Sequence, residues 1–194
     1  MVLILAIFIV VFFAVLIIFS FPQLSPIPYY PSNAHDIEMI LKGLKLKNNQ
    51  VIIDLGAGDG VVIFKAAKQA HERNLNTLFI AVETNPILMA VLWVRWLFQK
   101  NRNNITIAWQ DMFKTNYKKL VGSVNNNHEA LSPTFYLYIS PWLIKKAVQQ
   151  IEKTVHTFDV VSYFYEVPDW KPQQVVKGHH VLNLYSCSKD TLYV

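Results

Sequence analysis

Three glycines at alternate positions, Gly56, Gly58 and Gly60, follow directly on the apolar run Val51-Ile52-Ile53 and its terminal carboxylate, Asp54. The β-branched run reads as a buried strand, and residues 61–70 beyond the glycines read as a helix. A strand feeding a helix through a glycine turn opens a βαβ unit, which commits the chain to parallel strands with crossover helices. The turn also constrains the ligand. Glycine lets the backbone approach a bound group closely, because no Cβ stands in the way. Asp54 and Asp59 would repel a pyrophosphate, whereas positive charge is favoured beside them.

Helix and strand signals alternate along the rest of the chain without an internal repeat, which predicts a doubly wound α/β sheet. Ser32-Asn33 can cap a first helix in which Ile37, Ile40, Leu41 and Leu44 recur at helical spacing. Further strands are expected over residues 77–82, 105–110, 134–139 and 160–165, and helices over 86–99 and 141–155. The polar stretch 114–132 reads as a connector. Residues 181–186 and 191–193 read as a terminal hairpin turning at Ser188-Lys189-Asp190. The helix opened by Pro86 is apolar nearly all round and interrupted only by Arg95. Burial is its first explanation, and contact with a bilayer or a membrane partner its second.

Residues 1–21 carry no charged side chain and are almost wholly Ile, Leu, Val, Phe and Ala. At ~1.5 Å per residue they extend about 31 Å, enough for a hydrocarbon core, and are expected to form a retained transmembrane anchor. A cleavable signal peptide would want a basic start and a small-residue cleavage site, which this segment lacks. Residues 22–32, with Pro22, Pro26, Pro28 and Pro31, form a stiff connector. Residues 33–194 then supply about 160 residues, enough for one domain with a full core. All 18 Lys/Arg and all 13 Asp/Glu lie beyond the apolar segment, so the net charge of +5 belongs to that domain. The basic residues are scattered, a surface that anionic headgroups suit as naturally as nucleic acid, and no nucleic-acid partner is expected. One cysteine, Cys187, excludes an internal disulfide. No Cys/His cluster has metal-ligand spacing, so no metal is expected, and His179-His180 reads as structural or surface.

Asp54, Glu83 and Asp111 each close an expected strand and are separated by 29 and 28 residues, about one βαβ unit each. Ligands of open α/β sheets bind at that edge. With the glycine turn, the three carboxylates suit S-adenosyl-L-methionine, which has no phosphate and carries a sulfonium and an α-ammonium. Asp54 with Gly56, Gly58, Asp59 and Gly60 orders the site and favours the ammonium. Glu83, 23 residues after Gly60, can accept from both ribose hydroxyls, and Asp111 from the adenine amino group with Met112 against the ring. A nicotinamide dehydrogenase would usually show G-x-G-x-x-G without an acid two places before the first glycine.

The chain resembles the class I, seven-strand S-adenosylmethionine-dependent methyltransferases. More narrowly, it resembles the small membrane-anchored lysine methyltransferases that act on the ATP synthase c-subunit and the adenine nucleotide translocase. The matching stretches are Pro28-Tyr29-Tyr30-Pro31-Ser32, residues 54–60, Glu83-Thr84-Asn85-Pro86 and Val167-Pro168-Asp169-Trp170-Lys171-Pro172, together with the apolar segment; Val61 stands where the family usually carries a basic residue. The resemblance implies a Rossmann-like seven-stranded sheet with a C-terminal antiparallel hairpin and a donor site that includes Asn85. It also implies an enzyme that N-methylates lysine in a membrane protein.

Acceptor entry is expected beside the fourth strand, where Ser140-Pro141-Trp142 stands in place of the Asp/Asn-Pro-Pro-aromatic motif of many amine methyltransferases. Pro141 could aim a carbonyl at the amine and Trp142 face a cation; equally, Ser140 could cap a helix and Trp142 pack. Tyr29 and Tyr30 could form a lid over the donor or sit as interfacial aromatics beside the anchor. The donor is already activated, so no general base is assigned. Other acceptors are a lipid or a quinone, and from another class the domain could be a silent donor-binding assembly module. The donor is made in the cytosol, which favours a cytoplasmic domain. The absence of an Arg-rich presequence favours a bacterial cytoplasmic membrane over a mitochondrial inner one.

Overall fold

The computed structural model of the chain describes residues 2–20, 31–125 and 131–188, and within the first helix the side chains of residues 3–13. After α1 (Val2–Ser20), a single 3-10 turn capped by Asn33 leads into α2 (Ile37–Gly43). The alternating units then follow: β1 (Gln50–Leu55), α3 (Val61–Glu72), β2 (Leu78–Glu83), α4 (Pro86–Leu97), β3 (Ile105–Trp109), α5 (Tyr117–Val124), β4 (Ser132–Leu137), α6 (Pro141–Thr154) and β5 (Thr157–Tyr163). Two strands close the described chain, β6 (Gln174–Lys177) and β7 (Val181–Ser188).

The seven strands form one sheet in the order β3-β2-β1-β4-β5-β7-β6. β1 to β5 are mutually parallel, and β7 runs antiparallel to both its neighbours, β5 and β6. The carboxyl ends of five strands therefore share one edge, and the order reverses between β1 and β4, the place where such sheets take ligands. Side chains alternate across the sheet. Ile52, Phe79, Ala81, Tyr136 and Val161 pack under α2, α3 and α4, while Val51, Ile53, Val82, Phe135 and Val160 pack under α5 and α6. All six residues of β1 are buried, because helices cover both faces of a central parallel strand.

Three expectations need correction. The stretch 114–132 is not a plain connector: Asn116 caps α5 by accepting from Lys119 N–H at 3.0 Å, and Tyr117 and Leu120 are buried. The helical spacing of Tyr117, Leu120, Val121 and Val124 outweighs the polar composition around it. The antiparallel hairpin is made by β6 and β7 around residues 178–180, and residues 191–193 lie outside the described part. β6 is a short edge strand, mostly exposed, so it leaves no alternating pattern in the sequence. The helix α4 buries only Leu88, Met89 and Leu92, and its outer face stays open. The membrane-spanning anchor is not met by the described residues: no helix among them is long and apolar enough to cross a membrane.

No helix fills the passage from β5 to β6. Instead Trp170, from the Val167-to-Pro172 stretch, lies against Phe158 and Tyr185 with ring centroids 6.2 and 5.9 Å away. Val167 N–H donates to the Tyr185 hydroxyl at 3.0 Å, and Asp169 pairs with Lys145 on α6 at 2.6 Å. An indole thus covers sheet that a helix would otherwise cover.

Candidate active site

The glycine turn hangs on the end of β2. Gly56 and Ala57 donate their N–H groups to the Val82 carbonyl, at 2.9 and 3.1 Å, and Gly58 N–H donates to Glu83 Oε2 at 2.9 Å. Gly56, Gly58 and Gly60 all have positive φ, between 59° and 75°. At Gly60 a side chain is also sterically barred, since a Cβ would come within 2.6 Å of Leu92 Cδ2 and of the Phe64 ring. At Gly56 a Cβ would come 3.2 Å from Met112 Cε and 3.4 Å from Ile139 Cγ2. That places Met112 and Ile139 over the turn.

Asp54 and Glu83 stand at the ends of the paired strands β1 and β2, Asp111 follows the end of β3, and each is held differently. Asp54 lies at the end of β1 between Ala81 and Tyr136 and is only 3% exposed. Among the described residues no hydrogen bond reaches its carboxylate. Burial, with Glu83 and Asp59 adding repulsion, pushes its pKa up from 3.8 to about 8. Glu83 is buried but well supplied: Oε1 accepts from Thr84 and Asn85 N–H at 2.7 and 2.9 Å, while Oε2 accepts only from Gly58. A carboxylate has about four acceptor positions, so Oε2 retains one for a hydroxyl donor. Asp111, half-exposed, accepts from Phe113 N–H at 2.9 Å and sits 3.5 Å from Lys114 Nζ.

Asp59 and Asn85 have local work. Asp59 accepts from Val61 N–H at the start of α3 and pairs with Arg95 of α4, whose Nη1 also reaches the Asp59 carbonyl at 2.6 Å. The lone charge on an apolar helix is therefore the clamp that ties α4 to the glycine turn. Asn85 caps α4, its Oδ1 accepting from Ile87 and Leu88 N–H at 2.9 and 3.3 Å.

On the acceptor side, Ser140 precedes α6 without a side-chain capping bond and Pro141 opens the helix. Trp142 does not pack: it is 73% exposed. Tyr30 lies outside the described residues; its near neighbour Ser32 reaches the Tyr136 hydroxyl at 3.1 Å. Burial, chiefly, raises the pKa of Tyr136, and the Asp54 charge adds to it. Sequence reasoning missed Ile139, Tyr136 and the role of Arg95. Only Arg95 left a signal, because an isolated cation among apolar residues implies a partner. Among the described residues no group of three His, Cys, Asp or Glu side chains could hold a metal ion.

No family model matches the chain. Among solved structures, an RNA methyltransferase from Salinibacter ruber in complex with S-adenosyl-L-homocysteine superposes with a TM-score of 0.67 at 18% identity, over 85% of this chain and 98% of that one. The chain has the class I S-adenosylmethionine-dependent methyltransferase fold. The rRNA methyltransferase aviRa from Streptomyces viridochromogenes shares that fold at a TM-score of 0.53 and 15% identity, over 84% and 88% of the two chains. Among curated proteins, a protein-lysine N-methyltransferase of Saccharolobus islandicus is 25% identical over 166 residues, 82% of this chain and 92% of its own. A probable ribosomal RNA small subunit methyltransferase A of Methanosphaera stadtmanae is 25% identical over 119 residues, 61% of this chain. The match takes in 41% of that relative, so the chain spans less than half of its length.

The residues present fit S-adenosyl-L-methionine. A buried carboxylate with no donor among the described residues suits a cationic group, and a pyrophosphate would be repelled by it. Asp54 and the turn would hold the cationic end, Glu83 a ribose hydroxyl, and Asp111 with Met112 the adenine.

Proposed function

We propose that the chain is a membrane-anchored S-adenosylmethionine-dependent methyltransferase that methylates a lysine amino group of a membrane protein. The observation that carries the methyl-donor part is Asp54: buried, without a hydrogen-bond donor among the described residues, and set beside a turn of three positive-φ glycines. The lysine part rests on the resemblance of the flanking motifs and is supported by the protein-lysine N-methyltransferase relative. The anchor rests on the uncharged composition of residues 1–21.

When bound, S-adenosyl-L-methionine supplies a methyl group already activated on a sulfonium. The chain contributes alignment and charge. Asp54 and Glu83 fix the donor's two polar ends, Met112 and Ile139 exclude water above Gly56, and the Ser140-Pro141-Trp142 turn borders acceptor entry. An amine must arrive neutral to react, and an apolar approach favours that form. An anchor in the plane of the substrate raises its effective concentration, and a donor-supplied domain lies on the cytosolic side.

A second acceptor class, RNA, is favoured by the ribosomal RNA methyltransferase relative and the chain's net charge of +5. Incubating the purified full chain with membranes, RNA and methyl-labelled donor separates the cases. Label that protease removes and that hydrolyses to methyl-lysine supports the protein acceptor. Label lost to ribonuclease, or found in the organic extract, overturns it in favour of RNA or of a lipid or quinone. Binding of S-adenosylhomocysteine with no transfer to any fraction would leave a silent donor-binding module.

A further inference from the structure

Helix α4 is apolar on both sides, and only one side has a partner. Met89 and Leu92 pack on the sheet, and Leu88 is buried beside them. A quarter to a half turn away around the axis, Trp93, Val94 and Leu97 stand about half exposed, and Phe98 at the helix end is 82% exposed. Trp109 continues this surface. It is 67% exposed at the end of β3, and its indole N–H donates to the Thr84 carbonyl at 3.1 Å, just ahead of α4. The apolar face therefore runs the length of the helix, from the ligand edge of the sheet to Phe98. Contiguous exposed aromatic and aliphatic surface of this kind marks an interaction site.

The charges around it choose the partner. Between Glu83 and Asp111 the chain has Arg95, Lys100 and Arg102 and no acidic residue. Arg95 is engaged by Asp59, which leaves exposed Lys100 and Arg102 at the Phe98 end, with the Arg102 guanidinium 5.5 Å above the Trp96 ring. Tryptophan with flanking basic residues around an apolar helix face is the pattern of a helix lying in the headgroup layer of an anionic bilayer. The same chain exposes a second apolar helix, α1. We infer that α4 is a membrane-docking helix, lying in the plane of an anionic lipid surface with Trp93, Leu97 and Phe98 among the acyl chains. Because α4 begins three residues after Glu83, this contact would bring the donor edge of the sheet down to the bilayer. It does not depend on which acceptor is methylated.

The test reads the local surroundings of α4, so that lipid contact made by any other part of the chain does not count towards it. Cys187 is buried and is the only cysteine, so a solvatochromic label can be placed selectively at Leu97→Cys, or at Lys118→Cys on α5 as the remote control. In vesicles of phosphatidylcholine and phosphatidylglycerol, the label at position 97 is expected to shift to the blue. Lipid-borne spin labels should quench it several-fold more strongly than the label at 118. Adding Trp93→Ser and Phe98→Ser should abolish that difference while S-adenosylhomocysteine still raises the melting temperature, which shows the domain folded. Equal quenching at 97 and 118 would overturn the inference. So would a label at 97 already blue-shifted in dilute protein without lipid, because another helix or a second copy would then cover the face.

Discussion

Two buried aspartates on the same chain are treated in opposite ways. Asp36 is 2% exposed, and its carboxylate accepts from His179 and His180 N–H, both at 2.7 Å, and from the Tyr163 hydroxyl at 2.8 Å. Burial pushes its pKa up, but those donors more than offset it and hold the group below its ordinary value. Asp54 is as deeply buried and has no such donors among the described residues, so burial and its acidic neighbours raise it to about 8. A carboxylate given donors is part of the architecture: Asp36 joins the start of α2 to β5 and to the β6–β7 turn. One deprived of them costs the free protein stability and has a use only when positive charge arrives from outside.

The sharpest way to break this contrast is to remove each group in turn. Asp36→Ala leaves two N–H groups and a buried hydroxyl unpaired and should cost about 3 kcal/mol of stability in urea unfolding, with donor affinity of the folded fraction retained. Asp54→Asn should do the reverse. Donor affinity measured by calorimetry should fall by about a hundredfold, the equivalent of ~2.7 kcal/mol, while stability at pH 8 should rise, because a neutral amide is spared the cost of a buried charge. If Asp54→Asn instead unfolds the protein and Asp36→Ala abolishes binding, the roles are exchanged.

The pH dependence sharpens the same comparison. The folded-state pKa of Asp54 lies above its unfolded value of 3.8, so the folded protein holds the extra proton between those values. The contribution of Asp54 to stability therefore falls as pH rises from about 4 to about 8. A cationic donor prefers the ionised form, so its affinity should rise over that window by up to about tenfold per pH unit. Binding near pH 6 should release about one proton, read from calorimetry in buffers of different ionisation heat. Asp36, with its lowered pKa, contributes in the other direction: its stabilisation is present above 3.8 and is lost as pH falls below. The smallest effect belongs to Arg95→Met. Its pair with Asp59 is partly exposed, 39% and 30% at the two side chains, so stability should drop by about 1 kcal/mol or less, with donor affinity falling a few-fold as the turn loosens.

Much of this was legible along the chain, for reasons that are local. Each crossover helix keeps its apolar residues at helical spacing, and each buried strand keeps its β-branched run, so β1, α3, β2, α4, β3 and α6 fall within a residue or two of their expected places. The strand ends carry Asp54, Glu83 and the approach to Asp111, and parallel pairing brings them to one edge. What escaped lacked a local signature. β6 exists because β7 offers it an edge, and its own four residues show no alternation. The connector reading of 114–132 failed where the weight given to polar composition hid the Tyr117–Leu120–Val124 spacing of α5.

The division between the two levels follows from what each residue has to meet. Glycines at positive φ, a strand ending in a carboxylate and an acid one βαβ unit later are requirements of backbone geometry and charge, so the residue types alone disclose a donor site. Which buried acid is satisfied and which is left wanting depends on partners 127 to 144 residues away in the case of Asp36, and on their absence among the described residues near Asp54. Likewise the apolar character of α4 is written in its residues, but only packing decides that one face is covered by the sheet and the other is left open. Long-range contact sets desolvation, and desolvation sets charge.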